Sequence, residues 1–153
     1  MSVNLHIGAE DTRFSAPQIP GAAVTVPLGL HRLGGELAGF PPRESALEHA
    51  IACVEDALMP HVARIRQLGA SSLASGDAAC QAIAEAAGAL PDRPVVIDID
   101  AVERVFERLA RVAAGRPARW EGLPEDQDFA AALVLLREIM HHAGFFSLRV
   151  EAR

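Results

Sequence analysis

Glu138, His141 and His142 carry the one spacing in this chain that suits metal chemistry. In a helix, positions i, i+3 and i+4 share a flank, so a carboxylate and two imidazoles would stand close together. Helical carboxylate metal centres use such a Glu-x-x-His pair twice and add lone glutamates from neighbouring helices. A second long apolar-striped segment offers Glu44, Glu48, His49, Glu55 and His61. The expected ligand set is Glu138, His141, His142 and Glu48, holding a divalent metal between the two helices. The competing reading is plainer. Only one Glu-x-x-His is present, and histidines in a last turn already suit the helix dipole.

Arg104, Arg108 and Arg111 form a second constellation, a stripe down one helix face, followed by Arg116 and Arg119. Residues 101–119 hold five arginines against two glutamates, in a chain whose net charge is −6. The stripe is the candidate binding surface for an anionic ligand, an acidic protein partner or a second copy of the chain. Glu107 and Arg111 are also spaced for a simple surface pair.

Asp98 and Asp100 follow three apolar residues, Val95, Val96 and Ile97. This six-residue stretch resembles the nucleophile strand of haloacid-dehalogenase-type phosphatases, and Val102 matches that pattern too. The resemblance implies Asp98 as nucleophile, Asp100 as general acid and Mg²⁺ between them. The chain has no lysine for that family's phosphate clamp, and a helix cap explains Asp100 more simply.

Several chemistries are excluded outright. All 14 basic residues are arginine. Without lysine there is no Schiff base and no Walker-type phosphate loop. The glycines between Gly29 and Gly39 do not fall at Gly-x-Gly-x-x-Gly spacing. Cys53 and Cys80 form no Cys-x-x-Cys motif and read as buried, reduced thiols. An acidic chain is a poor general binder of nucleic acid or anionic membrane. The start of the chain lacks the pattern of a signal peptide, and no apolar run is long enough to span a bilayer. A cytoplasmic location and a GC-rich bacterial source are expected.

The elements that must position these residues follow from periodicity. Leu47, Ile51, Val54, Leu58, Val62, Ile65 and Leu68 recur at helical steps from Pro41 to Gly69, with Pro60 predicting a kink. A short alanine-rich helix after Asp77 is expected to form a hairpin with it. Asp100 should cap a helix striped by Val102, Phe106 and Leu109, and a last helix runs from about Pro124 to His142. Strands are expected at Val3–Ile7, at Val24–Leu28, at Val95–Ile99 as the central strand, and at Phe146–Val150. Residues 10–21, 29–39 and 70–76 read as loops, connectors and turns.

The expectation is therefore a single α+β domain over residues 1–153, in the order β-β-α-α-β-α-α-β, with about four helices on about four strands. With no catalytic motif in view, the first functional reading is a small non-catalytic accessory or interaction protein of unknown role. A homodimer is expected to cover leftover apolar helix surface. The alternative is a metal- or small-molecule-binding enzyme with its carboxylate/histidine site between the long and last helices.

Overall fold

Alternation of apolar and polar side chains builds a six-stranded sheet with one dry face. The computed structural model describes all 153 residues. The strands are β1 (Val3–Ile7), β2 (Thr12–Ser15), β3 (Ala23–Val26), β4 (Ser72–Ser75), β5 (Val95–Asp98) and β6 (Ser147–Val150). Their order is β3-β2-β1-β4-β6-β5. The β1-β2-β3 meander is antiparallel, β1, β4 and β6 run parallel, and β5 is antiparallel at the edge. Val3, Leu5, Ile7, Phe14, Val24, Val26, Leu73, Ile97, Leu148 and Val150 are buried on one face. Asn4, His6, Arg13, Thr25, Val96 and Arg149 remain exposed on the other.

The helices all serve that dry face. They are α1 (Leu30–Leu37), α2 (Glu44–Leu58), α3 (Val62–Arg66), α4 (Ala78–Ala86), α5 (Ile99–Ala113), α6 (Ala118–Glu121) and α7 (Gln127–Ala143). A 3₁₀ turn at Met59–His61, opened by Pro60, joins α2 to α3, so the long segment is interrupted where proline removes a donor. Helix α7 is buried along nearly its whole length, from Phe129 to Met140. Helices α1, α2, α4 and α5 all pack against it. One continuous core of 44 residues results.

The α+β class is as expected, with more strands and helices than the pattern predicted. The individual differences follow from packing and strand pairing. The glycine-rich connector is helix α1, because Leu33 and Leu37 bury against the core. The Ser-Leu-Ala-Ser stretch forms β4, paired on both sides at the centre of the sheet. Val95–Ile97 lies instead on the edge strand: Val96 is 59% exposed, and Ile99 already belongs to α5. Asp98, not Asp100, caps α5, accepting from the Ala101 amide at 2.7 Å. That role leaves Asp98 at a strand end and Asp100 in the first turn of α5. Helix α4 lies on α7 rather than forming a hairpin with α2. The broad apolar arc of α7 is buried within the chain. No helix is long and apolar enough to cross a membrane.

Candidate functional site

Two regions of the fold gather groups that could do chemistry, one at each end of the parallel strands.

At the amino-terminal end of these strands, α2 and α7 bring together Glu55, Glu138 and His142. His142 Nε2 lies 3.4 Å from Glu138 Oε1 and 4.0 Å from Glu55 Oε2. Glu138 is buried, and desolvation pushes its carboxyl above the usual carboxylate range against the pull of Arg137 and His142. Arg137 Nη1 donates to Glu138 Oε2 at 3.1 Å, and Arg137 also grips Glu103 at 2.7 and 3.1 Å. The guanidinium sits 4.1 Å from the centre of the Phe106 ring. The Arg137 hydrogen bond, with help from His141, holds the Glu103 carboxyl below its ordinary range.

Of the expected ligands, Glu138 and His142 therefore meet. His141 turns away to Glu103, at 3.1 Å. Glu48 is exposed and takes no part. The residue of α2 that does take part is Glu55, seven positions on and so on the same face, about 10 Å further along the axis. Sequence periodicity identifies that face. It does not say at which turn α2 meets α7. Glu103 carries no spacing signal, because it arrives from a third helix.

The arginine stripe is mostly consumed internally. Arg108 Nη1 donates to the Ala86 carbonyl at 2.6 Å, and its Nε to the Glu121 carbonyl at 2.9 Å. Arg111 and Arg116 pair with the Glu121 carboxylate at 2.9 and 2.7 Å. Glu121 thus gathers three arginines through one residue. Only Arg104 of the three candidate binding residues stays exposed without a partner in the chain.

At the carboxyl-terminal end, β1 and β4 finish side by side. Asp77 follows β4 and precedes α4, but its carboxylate does not cap that helix. It accepts instead from the Ile7 amide at 2.7 Å and contacts His6 Nδ1 at 2.8 Å. The first N–H groups of α4 are left without a side-chain acceptor. The starts of three helices meet here: Leu30 of α1, Ala78 and Ala79 of α4, and Asp126, Asp128 and Phe129 at the head of α7 line one cavity with Arg153. Its volume is roughly 370 Å³. In open sheets, ligands characteristically sit outside the carboxyl ends of parallel strands. Helix starts favour anions there.

No protein-family model matches the sequence, and no curated protein is similar to it. Solved structures do share its fold. An exopolyphosphatase from Cytophaga hutchinsonii matches over 99% of this chain with a TM-score of 0.70 at 15% identity. The Aquifex aeolicus Ppx/GppA enzyme matches over 99% with a TM-score of 0.68 at 12% identity. An exopolyphosphatase-like protein matches over 99% at 0.61 and 13%. In each case the match covers 53–54% of the other chain, so this chain spans about half the length of the structures it resembles. The expectation of a non-catalytic interaction protein of unknown role is corrected by this likeness, and the enzyme alternative fits it better. The fold of this chain is thus similar to that of about half of each of these structures.

Proposed function

We propose that this chain is one half of a phosphohydrolase of the exopolyphosphatase type, acting on phosphoanhydride chains. The observation that carries this reading is the cavity at the carboxyl ends of β1 and β4, where α1, α4 and α7 all begin. Of these helix starts, that of α1 donates to the Gly8 and Ala9 carbonyls and that of α7 to the Asp126 carboxylate, so α4 offers the open one. The α4 start has no side-chain acceptor of its own, so its amides are free for phosphate oxygens. The chain supplies no lysine for this task and only Arg153 on the cavity wall, so backbone donors carry the recognition.

Asp126 and Asp128 on the same wall would repel a bare phosphate chain. They suit one that carries a divalent cation, since Mg²⁺ is commonly held by one or two carboxylates together with substrate phosphates. The cation supplies charge neutralisation of the phosphate oxygens when bound. The protein's own part is to offer amides on one side and carboxylates on the other.

Calorimetry with tripolyphosphate in the presence of Mg²⁺ tests this. Saturable binding is expected, weakened at least tenfold by Ala79→Asp, which puts a negative charge at the start of α4. Absence of binding with and without Mg²⁺ would remove the reading.

A further inference from the structure

Glu138 is a carboxylate 5% exposed at its side chain, and its two oxygens have different neighbours. Oε2 faces Arg137 at 3.1 Å. Oε1 faces His142 Nε2 at 3.4 Å. Glu55 Oε2 approaches the same imidazole nitrogen from α2 at 4.0 Å. The three ligand atoms lie within 4.8 Å of one another.

These separations are close to those of a coordination sphere. With metal–ligand bonds of about 2.1 Å, neighbouring ligand atoms stand roughly 3.0–3.5 Å apart. Glu138 and His142 already meet that spacing from one helix. Glu55, partly exposed, has the side-chain freedom to close the remaining gap.

The surrounding charge is unbalanced in the direction a cation would correct. Glu55, Glu103 and Glu138 face this end of α7, with Arg137 shared between Glu103 and Glu138. Arg66, the other arginine here, donates to the His142 carbonyl at 2.8 Å rather than to a carboxylate. That bond fixes the last turn of α7 and so the base of the imidazole. The bidentate Glu103–Arg137 contact in turn fixes the Glu138 carboxylate from behind, as outer-shell partners do in metal centres.

We infer that Glu55, Glu138 and His142 form a divalent transition-metal site between α2 and α7. One imidazole and two carboxylates suit Zn²⁺, Mn²⁺, Fe²⁺ or Co²⁺ better than Ca²⁺, which takes oxygen ligands alone. His142 and Glu55 are partly exposed, so remaining coordination positions are open to water. The site lies at the opposite end of the parallel strands from the proposed phosphate cavity. It stands or falls independently of the hydrolase reading.

The test uses untagged protein stripped with a chelator, then titrated calorimetrically with Zn²⁺ and Mn²⁺. One equivalent of at least one ion should bind. Glu55→Gln should weaken binding at least tenfold, and because Glu55 is a surface residue this variant should fold normally. His142→Ala should do the same. Glu48→Gln, on the same helix face two turns away, should bind like the parent chain. Failure of the parent chain to bind either ion at millimolar concentration would overturn the site. So would unchanged stoichiometry and affinity in both Glu55→Gln and His142→Ala, which would place the ion elsewhere.

Discussion

His6 Nδ1 and Asp77 Oδ1 stand 2.8 Å apart, joining the end of β1 to the start of α4 across 71 positions of sequence. An ionised carboxylate can only accept, so Nδ1 carries the proton and donates. The other carboxylate oxygen takes the Ile7 amide at 2.7 Å. Asp77→Ala would leave that partly buried amide without an acceptor. A loss of about 1–3 kcal/mol is expected, as for other stranded donors. Urea denaturation checks it, and an unchanged midpoint would mean the contact contributes nothing.

The hairpin loop after β1 closes onto the start of α1. The Leu30 and His31 amides donate to the Gly8 and Ala9 carbonyls at 3.0 and 2.9 Å. This approach passes over Gly29, where an added Cβ would lie 2.5 Å from both carbonyl oxygens. Gly29→Ala must push the loop away and disturb those bonds. A cost of about 1–3 kcal/mol is expected, in the range of other overpacked sites. Thermal unfolding of the variant reads it directly, and an unshifted melting temperature would show that the loop yields freely.

Leu58 and Leu136 are fully buried on α2 and α7, at the heart of the helical layer. Truncating either to alanine should destabilise the chain by about 2–5 kcal/mol through lost transfer energy and a residual cavity. Denaturant midpoints that match the parent chain would contradict the packing of these helices.

Glu121 gives the acid limb of stability its direction. The Arg111 hydrogen bond, aided by Arg116 and Arg108, holds its carboxyl below the usual carboxylate range. The unfolded chain therefore binds the proton more readily. The stabilisation is fully present above the ordinary carboxylate pKa of about 4.3 and is lost as pH falls through the lower folded value. The stability gap between the parent chain and Glu121→Gln should narrow from pH 6 to pH 3. A gap that stays constant over that interval would show that the three arginines do not act through the charge of Glu121.

The sequence by itself determined the helices α2, α5 and α7 and the strands β1 and β6, because amphipathic period is a local property written into each segment. It also determined the break at Pro60, the two free buried thiols, and a carboxylate–imidazole pair, Glu138 and His142, on one flank of α7. Tertiary structure decided the rest. Ser72–Ser75 has only one large apolar residue, and it became a central strand because β1 and β6 supply its backbone partners from some 70 positions away. Val95–Val96–Ile97 has the stronger strand pattern yet lies at the edge, since local apolarity does not specify which neighbours a strand will have. Asp77 occupies a helix-cap position, but its carboxylate goes to β1, where it accepts from the partly buried Ile7 amide. The replacement of Glu48 by Glu55 beside His142 was fixed by the crossing of α2 and α7. That crossing depends on how two separate apolar stripes interlock, and it is encoded in neither helix alone.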